Sequence, residues 1–440
     1  MSGGAVEVCA DLRGTPVLVG RLWTRTRGGR ESATFQYDAQ WLAHPERFAL
    51  EPALSLDAAA FHTAQDRALF GALGDSAPDR WGRTLLARAE RHRARREGRA
   101  PRALREVDYL LGVADATRLG ALRFRTTEGG PFLAEPGEGA AAIPPLVHLR
   151  RLLSAASRVE SDDASDEDLR LLVAPGSSLG GARPKASVRD RDGSLAIAKF
   201  PSNADDYDVV RWEGVALALA RRAGIQVPAW RLASVAGRAV LVLARFDRRG
   251  GERIPFISAM SLLGAADGDT RSYPEMAEAL RRYGAATATD LHQLWRRLLF
   301  SVLVSNTDDH LRNHGFLCEG PEGWRLSPAY DMNPTPPDVK PRVLATAITL
   351  DGDATASFEL ALSVIAHFAL DLARARRITG EVAAAVAGWR AEARRQGLSN
   401  KAQERMAPAF EHADLAAARA RRKGARPPTP TADFYFRTVT

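Results

Sequence analysis

Three features of this 440-residue chain predict an α+β fold in two lobes behind a smaller leading subdomain. Short strand-like runs fill the first 40 residues, a second strand-rich region lies between 185 and 245, and the remainder carries helical periodicity. The length exceeds what one small core organises, so two or three lobes with their own cores are expected.

The leading segment alternates apolar and polar residues, as in Pro16-Val17-Leu18-Val19-Gly20-Arg21-Leu22 and Ala33-Thr34-Phe35-Gln36-Tyr37, with glycine punctuation, which predicts hairpins of a small sheet. From Phe61 to about Arg96 the pattern becomes helical, with Leu69, Phe70 and Leu73 on one face and Trp81, Leu85 and Leu86 continuing it. Its end merges with an Arg-rich run, residues 88–99, which reads as a solvated face or loop. A Gly-, Ala- and Pro-rich stretch from Glu128 to Pro145 predicts a linker. Beyond it, Lys185–Val188 and Leu195–Phe200 read as strands joined by the turn Asp190-Arg191-Asp192-Gly193. A helix from Val209 to Arg222 follows, then strands Trp230–Val235 and Arg238–Arg245 meeting across Ala236-Gly237. Leu291, Leu294, Trp295, Leu298, Leu299 and Val302 form one apolar stripe, and helical patterns resume over 358–395 and 401–421. The expected units are 1–127, 146–250 and 251–440.

Composition narrows the class. Hydrophobic residues at 45% and charged residues at 26% suit a folded globular chain. A net charge of +8 suits an anionic partner, nucleic acid or a phosphate-rich ligand, although Arg enrichment has other origins. Cys9 and Cys318 are too few for a disulfide framework and lack metal-type spacing. The first residues show no basic and apolar leader, and no apolar run approaches the roughly 20 residues of a membrane span, so a cytoplasmic protein is expected.

The chemistry concentrates in Ser305-Asn306-Thr307-Asp308-Asp309-His310-Leu311-Arg312-Asn313-His314, with Asp331 arriving 23 residues after Asp308. Phosphoryl transfer requires a group that orients one hydroxyl and oxygen ligands that hold Mg²⁺ against a triphosphate. Asp308 is the candidate base, Asn313 can bind the metal without adding charge, and Asp331 can bridge metal and phosphates. Asp309 competes for the base role, but only Asp308 stands five residues before Asn313. His310 could buttress the loop or touch phosphate. Upstream, Gly176 to Lys185 is a glycine-containing loop entering a strand, a build that lets backbone N–H groups approach phosphate oxygens. Lys199 sits mid-strand among apolar neighbours where it can neutralise phosphates, and Glu213 on the next helix is its natural partner. The run from Leu241 to Arg248 passes from buried strand to charged linker, as a hinge reading adenine would. Each piece alone has a bland reading as a polar turn, a surface loop or an exposed lysine; their order along the chain makes coincidence improbable.

These pieces, with Ser178-Leu179-Gly180-Gly181-Ala182-Arg183-Pro184-Lys185, Ala198-Lys199-Phe200-Pro201, Arg245-Phe246-Asp247-Arg248 and Ala329-Tyr330-Asp331, closely resemble the HipA-type toxin kinases, serine/threonine protein kinases of bacterial toxin–antitoxin modules. Phe70 to Gly82 and Tyr109-Leu110-Leu111-Gly112 resemble that family's N-terminal region. The resemblance implies a bilobal protein-kinase-like fold, a mixed α/β N-lobe with an extra N-terminal subdomain and a mainly helical C-lobe. It implies that Gly180, Gly181, Ala182, Arg183, Pro184 and Lys185 contact ATP phosphates, with Lys199 paired to them. Ala244, Arg245 and Phe246 would hold adenine through backbone groups, and Asp247 would reach the ribose. Asp308 would accept the proton, and His310, Leu311, Arg312, Asn313, Tyr330 and Asp331 would complete the nucleotide and Mg²⁺ site. Ser178 aligns with an autophosphorylated serine, with Ser177 adjacent as the alternative, and a phosphate there would add about −1.5 to −2 charge to a phosphate-binding loop. The loop departs from the best-known version in reading Gly-Gly-Ala-Arg-Pro before its Lys.

The implied partners are a helix-turn-helix, HipB-like antitoxin, operator DNA within the antitoxin complex, and a protein substrate such as an aminoacyl-tRNA synthetase. Arg374, Arg376 and Arg377 lie where the family contacts DNA phosphates, although basic helix ends also complement the helix dipole. The competing readings are a small-molecule phosphotransferase, suggested by the Asp308-x-His310-x-x-Asn313 spacing, and a catalytically idle co-repressor that holds antitoxin and DNA.

Overall fold

The computed structural model describes residues 5–126, 128–134, 143–173 and 181–422. The leading segment forms a five-stranded antiparallel sheet in the order Ala60–His62, Arg30–Tyr37, Thr15–Arg27, Val6–Leu12, Leu122–Arg125. Its first hairpin turns on Arg13-Gly14, both with positive φ (53° and 84°), the backbone that matches strand twist in a two-residue turn. Gly20 is required by close approach, because a Cβ there would lie 2.3 Å from the Gln36 carbonyl oxygen.

The continuous helical pattern expected over 61–96 breaks into a short strand, a one-turn helix at Gly71–Gly74 and a long helix at Arg80–Arg96. Pro78 cannot continue the earlier turn, and Asp79 restarts the helix as N-cap by accepting from the Gly82 N–H at 2.9 Å. The Arg-rich run is therefore largely helical, and several of its arginines are ion-paired, Arg88 with Asp162 and Arg99 with Glu90 and Glu97.

A second antiparallel sheet runs in the order Lys185–Arg189, Leu195–Lys199, Arg238–Ala244, Trp230–Val235. Its register sets Lys185 directly opposite Lys199, which puts both side chains on one face. The helix Val209–Arg222 packs behind it, against strands Trp230–Val235 and Arg238–Ala244. A three-stranded sheet, Phe256–Ser258, Gly315–Cys318 and Trp324–Leu326, supports the chemical loop, which the helix Thr287–Val304 delivers. That helix stops at Ser305 in the left-handed conformation, where the buried hydroxyl donates to the Ala409 carbonyl at 2.8 Å.

The lobes do not keep separate cores. Apolar side chains of the first sheet, the Val209–Arg222 helix and the C-terminal helices form one continuous cluster. A second joins Trp81 and Leu85 of the leading segment to residues 149–200 and to Val240 and Val242. Trp212, beside Glu213, packs on Trp389 and Phe410 of the C-terminal region with ring centroids 6.1 Å away, and Trp389 stacks on Phe410 at 4.7 Å. Trp389→Ala removes the central ring of this cluster and is expected to cost about 3–5 kcal/mol, read as a lower midpoint in urea unfolding. An unchanged midpoint would contradict that packing.

Candidate active site

Lys199 lies where the second sheet, the helix Val209–Arg222 and the Asp331 segment meet. Its ammonium donates to Glu213 Oε1 at 2.5 Å and to Asp331 Oδ1, so strand, helix and C-lobe segment meet on one charge. Burial by itself would push this ammonium toward neutrality; Asp331 and Glu213 override it and raise its pKa. Burial raises the Glu213 pKa against the pull of Lys199, whereas at Asp331 the lysines, Lys199 foremost and then Lys185, outweigh burial and lower it. Asp331 itself has a left-handed backbone, φ 52°, which is uncommon for a non-glycine residue.

Lys185 lies beside this group. Its ammonium bonds Asp79 Oδ2 at 3.0 Å and the Gly181 carbonyl at 3.1 Å, and its own carbonyl accepts from Trp81 Nε1 at 3.0 Å. Asp79 and Trp81 were not singled out as site residues from the sequence. Pro78-Asp79-Arg80 shows a helix start, but nothing local says that the second carboxylate oxygen faces a lysine 106 residues away. Gly181, Ala182 and Arg183 are exposed, and Arg183 pairs with Asp205. Pro184 is buried. Gly180, Ser177 and Ser178 lie outside the described residues.

The two adjacent aspartates of the loop have opposite surroundings. Asp308 is exposed, and its carbonyl accepts from Asn313 Nδ2 at 2.7 Å, which closes the loop on itself. Asp309 is 1% exposed and accepts from Tyr273 Oη at 2.7 Å and the Ala345 N–H at 2.8 Å. Burial pushes its pKa up to about 7. His314 donates its ring N–H to the Asp309 carbonyl at 3.1 Å and is held neutral by burial and by Arg297, its pKa pushed down to about 3. Among the described residues the His310 Nδ1 is buried without a hydrogen-bond partner. Leu311 is core, while Arg312 is exposed and pairs with Asp267 at 3.1 Å.

At the expected hinge, the Phe246 ring stacks on Tyr330, centroids 5.4 Å apart and planes at 25°, and Tyr330 Oη donates to the Arg312 carbonyl at 2.8 Å. Ala244 is exposed at the strand end. The expectation for Asp247 is corrected. Its carboxylate is 1% exposed and accepts from Arg245 at 2.5 and 2.6 Å, from Arg248 at 2.6 Å and from the Gly120 N–H at 2.8 Å, so no oxygen is offered to a ribose. The Arg245 guanidinium is equally enclosed, donating also to the carbonyls of Thr117 and Arg118, and its N–H to the Leu195 carbonyl. The explanation offered for Arg374, Arg376 and Arg377 is corrected too. All three are exposed near the start of the helix Leu372–Ala387, Arg374 in its first turn and Arg376 and Arg377 in the next, so they do not sit at the C-terminal end where the dipole favours cations.

Residues 177–389 match the HipA-like C-terminal domain family, and residues 12–106 match the HipA N-terminal domain family. The chain belongs to the HipA family. Two Sinorhizobium fredii relatives of this HipA-family chain, Y4mE and Y4dM, each carry the name "putative kinase". Y4mE is 29% identical over 254 residues, 50% of this chain and 56% of that protein; Y4dM is 29% identical over 216 residues, 41% and 52%. The chain thus spans about half the length of these curated relatives. The solved structure of the Shewanella oneidensis MR-1 toxin–antitoxin system HipA, HipB and its operator DNA matches with a TM-score of 0.65 at 16% identity, covering 95% of this chain and 97% of that one. The HipA-family chain has that kinase-like fold. Among its described residues no helix is long and apolar enough to cross a membrane.

The buried Asp309 gives a pH prediction. Its folded-state pKa, about 7, lies above the ordinary carboxylate value near 4, so its contribution to stability is full below about pH 4 and is lost as pH rises through about 7. The stability of the native chain minus that of Asp309→Asn is therefore expected to fall between about pH 4 and pH 7, measured by urea unfolding at each pH. A difference independent of pH would show that the carboxyl does not titrate there.

Proposed function

We propose that this chain is an ATP-dependent serine/threonine protein kinase and the toxin of a toxin–antitoxin module. The observation that carries the reading is Lys199 bridging Glu213 and Asp331, the closed arrangement in which a kinase lysine faces the phosphates. Lys185, opposite Lys199 in register, supplies a second positive charge at the same face. The Phe246–Tyr330 pair offers an aromatic surface for adenine next to the exposed end of the Arg238–Ala244 strand. Leu311 and Arg312 support the site rather than touch nucleotide, the first as core and the second through its carbonyl bond to Tyr330.

In this reading Asp308, exposed on a loop that Asn313 ties shut, accepts or orients the proton of a serine or threonine hydroxyl. Asp331 offers a carboxylate to a metal, and Asn313, whose amide N–H is already used, offers its amide oxygen. Two oxygen donors fit Mg²⁺, which takes one or two protein carboxylates and fills its remaining positions with water and substrate phosphates. When bound, Mg²⁺ would neutralise charge on the triphosphate. The unpartnered His310 Nδ1 beside Asp331 fits an acceptor oxygen of the substrate. Ser178, with Ser177 as neighbour, is the proposed autophosphorylation position, and a phosphate there would add negative charge to the glycine loop and so weaken ATP binding.

The likeness to the Shewanella complex supports a HipB-like antitoxin and operator DNA as partners. Arg374, Arg376 and Arg377, all exposed on the first two turns of one helix, are the proposed phosphate contacts. The proposed substrate is a translation component such as an aminoacyl-tRNA synthetase, by resemblance.

Labelled γ-phosphate from ATP is expected in a protein band, and Asp308→Ala is expected to reduce incorporation by about 10²-fold or more. Its melting shift with saturating Mg·ATP should persist, about 2.7 kcal/mol at 100 times the Kd. Undiminished transfer by Asp308→Ala overturns the mechanism, and label confined to a small molecule overturns the protein-kinase reading.

A further inference from the structure

The two lysines of the cleft receive their carboxylates from different parts of the chain. Glu213 and Asp331, which hold Lys199, come from the two kinase lobes, whereas Asp79, which holds Lys185, comes from the leading subdomain. The Asp79–Lys185 pair is enclosed, with side chains 10% and 4% exposed, and it is fixed at both ends. Asp79 Oδ1 is held by the Gly82 N–H as a helix cap, and Trp81, two residues on, holds the Lys185 carbonyl. The same ammonium reaches the Gly181 carbonyl, so the subdomain's grip extends into the described end of the glycine loop. A buried ion pair contributes little net stability, since desolvation offsets the attraction, so stability alone does not explain it. What it does supply is a lysine held in one place on the face that carries Lys199.

We propose that Asp79 is a positioning residue for nucleotide binding: by orienting the Lys185 ammonium, it makes the leading subdomain part of the phosphate site. This rests on the ATP-dependent reading above. Loss of the Asp79 charge removes the carboxylate that orients the ammonium, and the triphosphate then meets a lysine that must be ordered more at its own expense. Because Asp79 acts only through Lys185, its effect should vanish when that lysine is absent.

The test is a double-mutant cycle on Mg·ATP affinity in the full chain, measured by calorimetry so that turnover is not required. Asn caps a helix as well as Asp, so Asp79→Asn removes the charge while keeping the cap, and a retained single cooperative melting transition of the free protein would confirm an intact fold. Asp79→Asn and Lys185→Met are each expected to weaken Mg·ATP binding about 10-fold, and Asp79→Asn in the Lys185→Met background to change it by less than about 2-fold. Four results overturn the proposal. Unchanged affinity in Asp79→Asn, with Lys185→Met weakened, removes the positioning role alone. The same loss in both backgrounds makes Asp79 merely structural. Unchanged affinity in Lys185→Met removes its object, and no Mg·ATP binding by the native chain brings down the nucleotide reading itself.

Discussion

The structure turns on one buried ammonium. Lys199 on a central strand, Glu213 on the helix behind it and Asp331 at the edge of the C-terminal lobe are three distant positions that are each costly to bury alone. Removing one partner of such a group leaves an uncompensated charge, a loss of about 3–5 kcal/mol, so the three elements are bound to a single mutual arrangement. The neighbouring packing enforces it. Trp212, next to Glu213, is locked on Trp389 and Phe410, and Arg405 of the C-terminal region reaches the Asp206 carbonyl at 2.9 Å just before the same helix. The helix that carries Glu213 is therefore fastened to the C-terminal region at two points, and Asp331 accepts its left-handed backbone within that frame.

The leading subdomain belongs to the same construction. Arg118, fully buried, donates to the carbonyls of Ser76, Leu110 and Val113, and the adjacent carbonyls of Thr117 and Arg118 accept from Arg245. With Gly120 bonded to Asp247, the hinge is stitched to this subdomain by charge-assisted hydrogen bonds whose groups would be expensive to leave unpaired. Asp75 adds a further tie, accepting from Ser258 at the head of the C-terminal lobe. A hinge held this way positions the Phe246–Tyr330 stack from outside the kinase lobes.

What was legible in the sequence follows from the range of each interaction. The strands around Lys185 and Lys199, the helix Val209–Arg222 and the helix Thr287–Val304 announce themselves through periodicities and turns spanning a few residues. The order of charged residues along those elements was readable for the same reason. Asp247 was misread because a polar residue after a strand looks the same whether it faces a ligand or two buried arginines. Asp79 was passed over inside a helical pattern taken as continuous from Phe61; its capping contact lies three residues away and its lysine 106 residues away. The arginines at 374–377 were seen as a helix end without its polarity, since the start at Leu372 depends on Asp371 capping the Arg374 N–H.

The pair Asp308 and Asp309 shows how the fold separates residues that composition cannot. Both lie on one loop, one bond apart, and either could serve as a base by chemistry alone. Asp309 points inward, where Tyr273 and the Ala345 N–H occupy its oxygens and the Thr346 hydroxyl donates to its carbonyl at 2.8 Å. It thereby pins the 345–346 segment to the loop, and burial makes it hold a proton more readily than a surface carboxyl does. Asp308, turned outward by that anchoring, keeps an exposed carboxylate while Asn313 fixes its backbone. The inward aspartate is committed to structure and the outward one is presented in a defined place, so under the proposed function the doubling of Asp in this loop separates anchoring from chemistry.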